Sequence, residues 1–151
     1  MNRLLTLLTL ATLPTLISAC GETTTLESGT YEARWIATDG AEGTIDLPEH
    51  TWSLSLSMEA RTFHLQGPGF DQAGPLAGED VWVPDCPTNL AAVDQHMVRL
   101  GLATLDVAGV VFEDPAVVAS CTNFGPNTLV LQSAADVGVG QTSVIYFLPV
   151  Q

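Results

Sequence analysis

The sequence predicts a single small all-β domain, an antiparallel β-sandwich or barrel of about eight to ten short strands, behind an N-terminal signal helix. Three observations predict it. Apolar and polar residues alternate with period two in several short runs, most clearly where Trp52, Leu54, Leu56 and Met58 alternate with Thr51, Ser53, Ser55 and Ser57. Period two puts all four apolar side chains on one face of a strand, which no helix does. Turn formers, 13 Gly and 9 Pro in 151 residues, divide these runs. Hydrophobic residues make up 46% of the chain, enough for the core of one ordinary domain and too many for a disordered acidic tail.

The first element is the leader. Arg3 precedes residues 4–17, an uncharged run rich in Leu and Thr. As a helix the run spans about 21 Å, short of the ~30 Å hydrocarbon core, so it suits a removable signal better than a permanent anchor. The competing reading is a buried helix of the mature fold. The run ends in Ile17-Ser18-Ala19-Cys20-Gly21. An aliphatic residue, two small residues and a cysteine at this place resemble the lipobox of bacterial lipoproteins. The resemblance is confined to the leader and implies cleavage before Cys20, a diacylglyceryl thioether on its sulfur, and acylation of the new amino terminus. Residues 1–19 are then signal peptide, 20–29 a small, polar, lipidated tether, and 30–151 the domain. Two or three acyl chains hold a protein durably at a membrane, each buried CH₂ contributing about 0.8 kcal/mol. Gly21, where an aspartate is absent, implies the outer membrane if the source is Gram-negative.

Residues 30–38 alternate, with Tyr31, Ala33, Trp35 and Ala37 on one side and Glu32, Arg34 and Ile36 on the other. Residues 44–47 read as a short strand and 51–58 as the clearest one. Residues 61–65 follow, with Phe63 and Leu65 inward. Residues 67–80, dense in Gly and Pro, read as a long loop of the kind that is often functional or mobile. Residues 81–83 resume a strand that Pro84 ends. Two readings compete over 90–100. One is a helix with Leu90, Val93, Met97 and Leu100 on one face, capped by Asn89 and stopped by Gly101. The other is a strand over 94–100, with at most a helical turn near Leu90, and the β surroundings favour it. Short strands over 102–107, 110–112, 116–120, 128–132 and 142–148 complete the chain, the last two separated by a turn-rich stretch over 133–140.

The chain has no lysine, and four arginines face seventeen acids for a formal charge of −13, which becomes −14 when Arg3 leaves with the signal. Phosphate binding needs clustered Lys and Arg, so nucleic acid is excluded as a partner and electrostatic docking on anionic headgroups is disfavoured. With Cys20 consumed by lipid, Cys86 and Cys121 remain, and an even pair in an exported domain favours a disulfide over two free buried thiols. No zinc or other metal site is expected: there is no C-x-x-C, and His50, His64 and His96 have no metal-box spacing.

No nucleophile elbow, Ser-x-x-Lys, His-Glu-x-x-His or P-loop is present, and no cofactor is implied. His50 in a Pro-Glu-His turn and His64 on the outer face of its strand read as solvated side chains, while His96 follows whichever element holds it. Asp39, Glu42, Asp71, Glu79, Asp80, Glu113 and Asp114 read as solvated turn acids rather than calcium ligands. Trp35, Trp52 and Trp82 read as core. The expectation is a noncatalytic envelope module for binding or structure, touching the membrane through lipid on Cys20. The alternatives are a hydrolase with loop-borne catalytic residues and a small barrel holding an apolar ligand.

Overall fold

The computed structural model describes residues 25–38, 44–84, 94–119, 128–137 and 142–150. Strands dominate them: β1 (Gly29–Ala37), β2 (Thr44–Asp46), β3 (Ser53–Ser57), β4 (Thr62–Gly67), β5 (Phe70–Pro75), β6 (Ala77–Pro84), β7 (Asp94–Arg99), β8 (Thr104–Val107), β9 (Val110–Glu113), β10 (Pro115–Ala119), β11 (Leu129–Ser133) and β12 (Val144–Pro149). The fold is all-β, and every strand pairing is antiparallel. Residues 94–99 form a strand, so the β reading of that contested segment holds there; its first part, 90–93, lies outside the described residues.

The main sheet runs β5-β4-β3-β1-β12-β11-β10-β7-β6, with β2 added on β1. Its two ends, β5 and β6, are consecutive in the chain, with only Leu76 between them. The sheet therefore curls into a nearly closed barrel. The crossing is fixed by the buried Leu76 side chain and by its N–H, which donates to Arg61 O at 2.8 Å.

The interior is filled by alternate residues: Leu54 and Leu56 of β3, Phe63 and Leu65 of β4, Ile145 and Phe147 of β12, and Leu129 and Leu131 of β11. The hairpin β8–β9 leaves the sheet between β7 and β10, which still pair with each other, and buries Leu105, Val107 and Phe112 in the same core, each 1% exposed. Its Ala108-Gly109 turn has φ of 52° and 85°. Positive φ at both central positions is the turn that matches strand twist. Every residue of β10 is buried. Its outer face, Ala116 and Val118, packs with Met97 under Ala134 and Val137, which is why its sequence runs apolar without alternation.

Two expectations need correction. A bulge in β1 between Ala33 and Trp35 reverses the alternation. Ile36 therefore points into the core, and Trp35 turns outward beside Tyr146, ring centroids 5.5 Å apart. An inserted residue has this effect because side-chain period is two. Residues 67–80 are not a long loop but the end of β4, a tight turn, β5 and the first half of β6. Pro68-Gly69, with φ of 69° at Gly69, makes a two-residue turn. The poor strand formers of β5 are tolerated because it is a sheet-end strand, where Gly and Pro disturb fewest ladder bonds. Gly67 also has a packing role: a Cβ there would lie 2.2 Å from the Trp52 ring, which is core as expected and stacks near Phe70.

Candidate functional site

The outer face of β1, β3, β4 and β5 carries a polar row. Thr30, Ser55, His64 and Ala73 are successive cross-strand partners. Thr30 Oγ1 and Ser55 Oγ are 3.1 Å apart, and His64 Nε2 is 2.6 Å from Asp71 Oδ1. The hydrogen bond from His64 holds the Asp71 carboxyl below its ordinary range; slight burial opposes this, and Gln66 and the charge of His64 assist. An ionised Asp71 makes Nε2–H the donor. Ser55, Ser57, Thr62 and His64 line an open groove of about 490 Å³, into which Phe63 shows past Gly74.

Serine, histidine and aspartate thus stand on three adjacent strands. The arrangement falls short of a catalytic set in two ways. Asp71 takes Nε2 while the Ser55 hydroxyl is engaged with Thr30. The His64 and Asp71 side chains are 42% and 69% exposed, so water competes at both.

On the other side of β5 lies a second groove of about 390 Å³, bounded by Phe63, Gly74, Pro75, Ala77, Leu100 and Leu102. Among the described residues β5 pairs only with β4, so its second edge borders this groove.

The third constellation centres on one buried ring, His96. β7 turns His96 and Val98 inward and Met97 outward, and Leu100 just after it is buried in the same core. His96 Nδ1 accepts the Leu26 N–H at 3.2 Å. That bond leaves the ring proton on Nε2, which lies 2.9 Å from Asp80 Oδ2, close in distance but off the line of a regular hydrogen bond. Asp80 sits where the β6 ladder slips between Ala77 and Val81. It also pairs with the Arg61 guanidinium, which reaches Gly78 O at 3.1 Å as well. Burial pushes the Asp80 carboxyl up, but its contacts with Arg61 and His96 outweigh this and hold it below its ordinary range. Four chain segments, before β1, after β3, in β6 and in β7, are thereby tied across the point where the barrel closes. Leu26, 5% exposed, belongs to the core, and Tyr31 Oη donates to Glu27 O at 2.8 Å. Residues 25–29, expected within the tether, are therefore held against the domain.

A fourth group lies at the surface around a half-buried Glu32: His50 Nδ1 meets Glu32 Oε1 at 2.6 Å, and Arg34 reaches Glu49 at 3.3 Å and Glu32 at 3.7 Å. Arg99 pairs with Asp114 at 3.6 Å. Each of the three described arginines is thus ion-paired.

Of the site residues expected from sequence, Cys20, Cys86 and Cys121 lie outside the described residues. His50 and His64 are on the surface as expected, though each holds a carboxylate. The His96–Asp80–Arg61 network escaped the sequence reading, because Asp80 is aimed by a ladder irregularity that no local pattern marks. Among the described residues no group of three or more His, Cys, Asp or Glu is placed to hold a metal ion, and no helix is long and apolar enough to cross a membrane. No protein-family model, curated protein or solved structure matches the chain.

Proposed function

We propose that the chain is a lipid-anchored, noncatalytic binding or structural module of the cell envelope. The anchor rests on Ile17-Ser18-Ala19-Cys20. From Cys20 to the docked Leu26 is six residues, about 20 Å fully extended, so a lipid on Cys20 keeps the barrel close to the membrane surface. The observation that carries the noncatalytic part is the placement of the histidines. His96 is buried as a tie between segments, and His50 and His64 stand in open solvent against carboxylates. Acyl transfer needs a nucleophile, base and oxyanion donors held together away from water. A barrel for an apolar ligand loses support because Leu105, Val107 and Phe112 occupy the interior.

The hydrolase reading has one observation in its favour, the Ser55–His64–Asp71 row beside a groove. Esterase, peptidase and glycosidase substrates offered to the purified full chain decide between the two. The module reading expects no turnover above background from wild type. Turnover that disappears in both Ser55→Ala and His64→Ala overturns it. Fractionation of cells expressing wild type and Cys20→Ser tests the anchor: wild type is expected with membranes and the variant in the soluble fraction, and equal partition contradicts it.

A further inference from the structure

We propose that the free edge of β5 is a docking site for an extended cationic segment of a partner protein, which joins the sheet as an added strand. The inference deepens the binding-module reading and rests on it. Gly67 and Phe70 close a two-residue hairpin, so Phe70, Gln72 and Gly74 direct their N–H and C=O groups at β4. By the alternation of an antiparallel ladder, Asp71 and Ala73 direct theirs the other way. Among the described residues no strand takes them up. Chains commonly protect such an edge with lysine, proline or a bulge. Here there is no lysine, the β4–β5 register is regular, and proline appears only at the last position, Pro75.

The side chains then define the occupant. An added strand alternates its side chains between the two faces of β5. One set enters the groove bounded by Phe63, Leu100 and Leu102, which is mainly apolar, with Gln72 as its polar side chain. The other set lies along the outer row beside Asp71, a carboxylate 69% exposed whose Oδ1 meets His64 and whose second oxygen faces the added strand's cations. The matching pattern is apolar residues alternating with Lys or Arg. Charge excludes the obvious competitor, a second copy of this chain. Each copy carries −13, and its described arginines are already paired with Glu32, Glu49, Asp80 and Asp114. Two copies meeting edge to edge bring like charge together, whereas a cationic strand relieves it.

The probe is a labelled, end-capped Lys-Val-Lys-Val-Lys-Val peptide titrated onto the full chain in detergent at physiological salt. Two N-methylated forms accompany it, one methylated on the odd residues and one on the even. One form keeps the amides that face β5 and the other loses them, with composition and charge unchanged. The proposal expects one methylated form to bind about tenfold or more weakly and the other to bind like the parent. It also expects the Asp71 and Ala73 amides to gain protection from hydrogen exchange. Ala73→Pro removes one outward N–H without breaking a β4 ladder bond and is expected to weaken the parent peptide about tenfold. If that variant melts early, the methylated pair on unaltered protein still decides. Equal binding of both methylated forms means attraction by charge alone and overturns the proposal. So does no binding of the parent peptide, or self-association of the chain that Ala73→Pro abolishes. None of these results bears on lipid at Cys20, so failure of the edge and failure of the anchor are read separately.

Discussion

His96 joins a chain segment seventy residues before it to the neighbouring strand β6: its Nδ1 accepts the Leu26 amide at 3.2 Å, and its Nε2 lies 2.9 Å from Asp80 Oδ2. One buried ring thus ties the stretch before β1 to the strand pair β6–β7. Arg61 extends the tie through Asp80 to the turn after β3, where the two ends of the sheet come together. Replacing His96 by Leu keeps the bulk but leaves the Leu26 amide and Asp80 without the ring. The expected loss of stability is about 2–3 kcal/mol, measured by urea unfolding with unchanged m-value. A loss below about 0.5 kcal/mol contradicts a tie at this position.

Asp80 gives the account a pH dependence of defined sign. Its folded carboxyl titrates below the ordinary range because Arg61 and His96 outweigh its burial. A depressed folded value means a stabilising contribution that is full above the unfolded aspartate value of about 3.9 and declines as pH falls through the folded value. Asp80→Asn is therefore expected to be less stable than wild type at pH 7 and to lose less on acidification below about pH 4. Parallel stability curves for the two proteins across that range contradict the assignment. Asp71 has the same sign through His64, but it is open to solvent and contributes the lesser share.

Gly67→Ala tests the packing of β4 on Trp52. The new methyl would meet the ring at 2.2 Å, and the ring is itself enclosed against Phe70. A cost of about 1–3 kcal/mol is expected, with a shift in tryptophan fluorescence. Gly109→Ala, where a Cβ meets nothing within 4 Å but φ is 85°, is expected to cost about 1 kcal/mol through the backbone alone and leave the fluorescence unchanged.

Much of the architecture was legible because it rests on period two. The β3 run Ser-Leu-Ser-Leu-Ser states its inward and outward faces outright, and β4 repeats them. The exchange of Trp35 and Ile36 was hidden because a bulge is set by the partner strand β12, not by residues near it. The hairpin after Gly67 was hidden for a related reason. A sheet-end strand needs little intrinsic β preference, so Asp-Gln-Ala-Gly-Pro passes for a loop. The polar row and the free edge exist only once β3, β4 and β5 are in register. Their chemistry-bearing residues, Ser55, His64 and Asp71, have no local signature.

The Cys86–Cys121 bridge remains a proposal from the sequence, since both cysteines lie outside the described residues. β6 and β10 both pair antiparallel with β7 and therefore run the same way, ending at Pro84 and Ala119 on the same end of the sheet. Each cysteine follows its strand end by two residues. Closing residues 86–121 into a loop corresponds to about 3.8 kcal/mol by chain entropy. Thiol titration of the unfolded, unreduced full chain is expected to find neither Cys86 nor Cys121 free. Two reactive thiols at these positions contradict the bridge.

The measurement that bears most directly on the central claim is the mass of the amino-terminal peptide of the full chain after expression in a bacterium and purification from membranes. The account predicts a chain that begins at Cys20 and carries a diacylglyceryl group with further acylation of its amino terminus, and it predicts that Cys20→Ser carries neither. An exported protein that begins elsewhere, or an unmodified Cys20 on a mature chain, contradicts it.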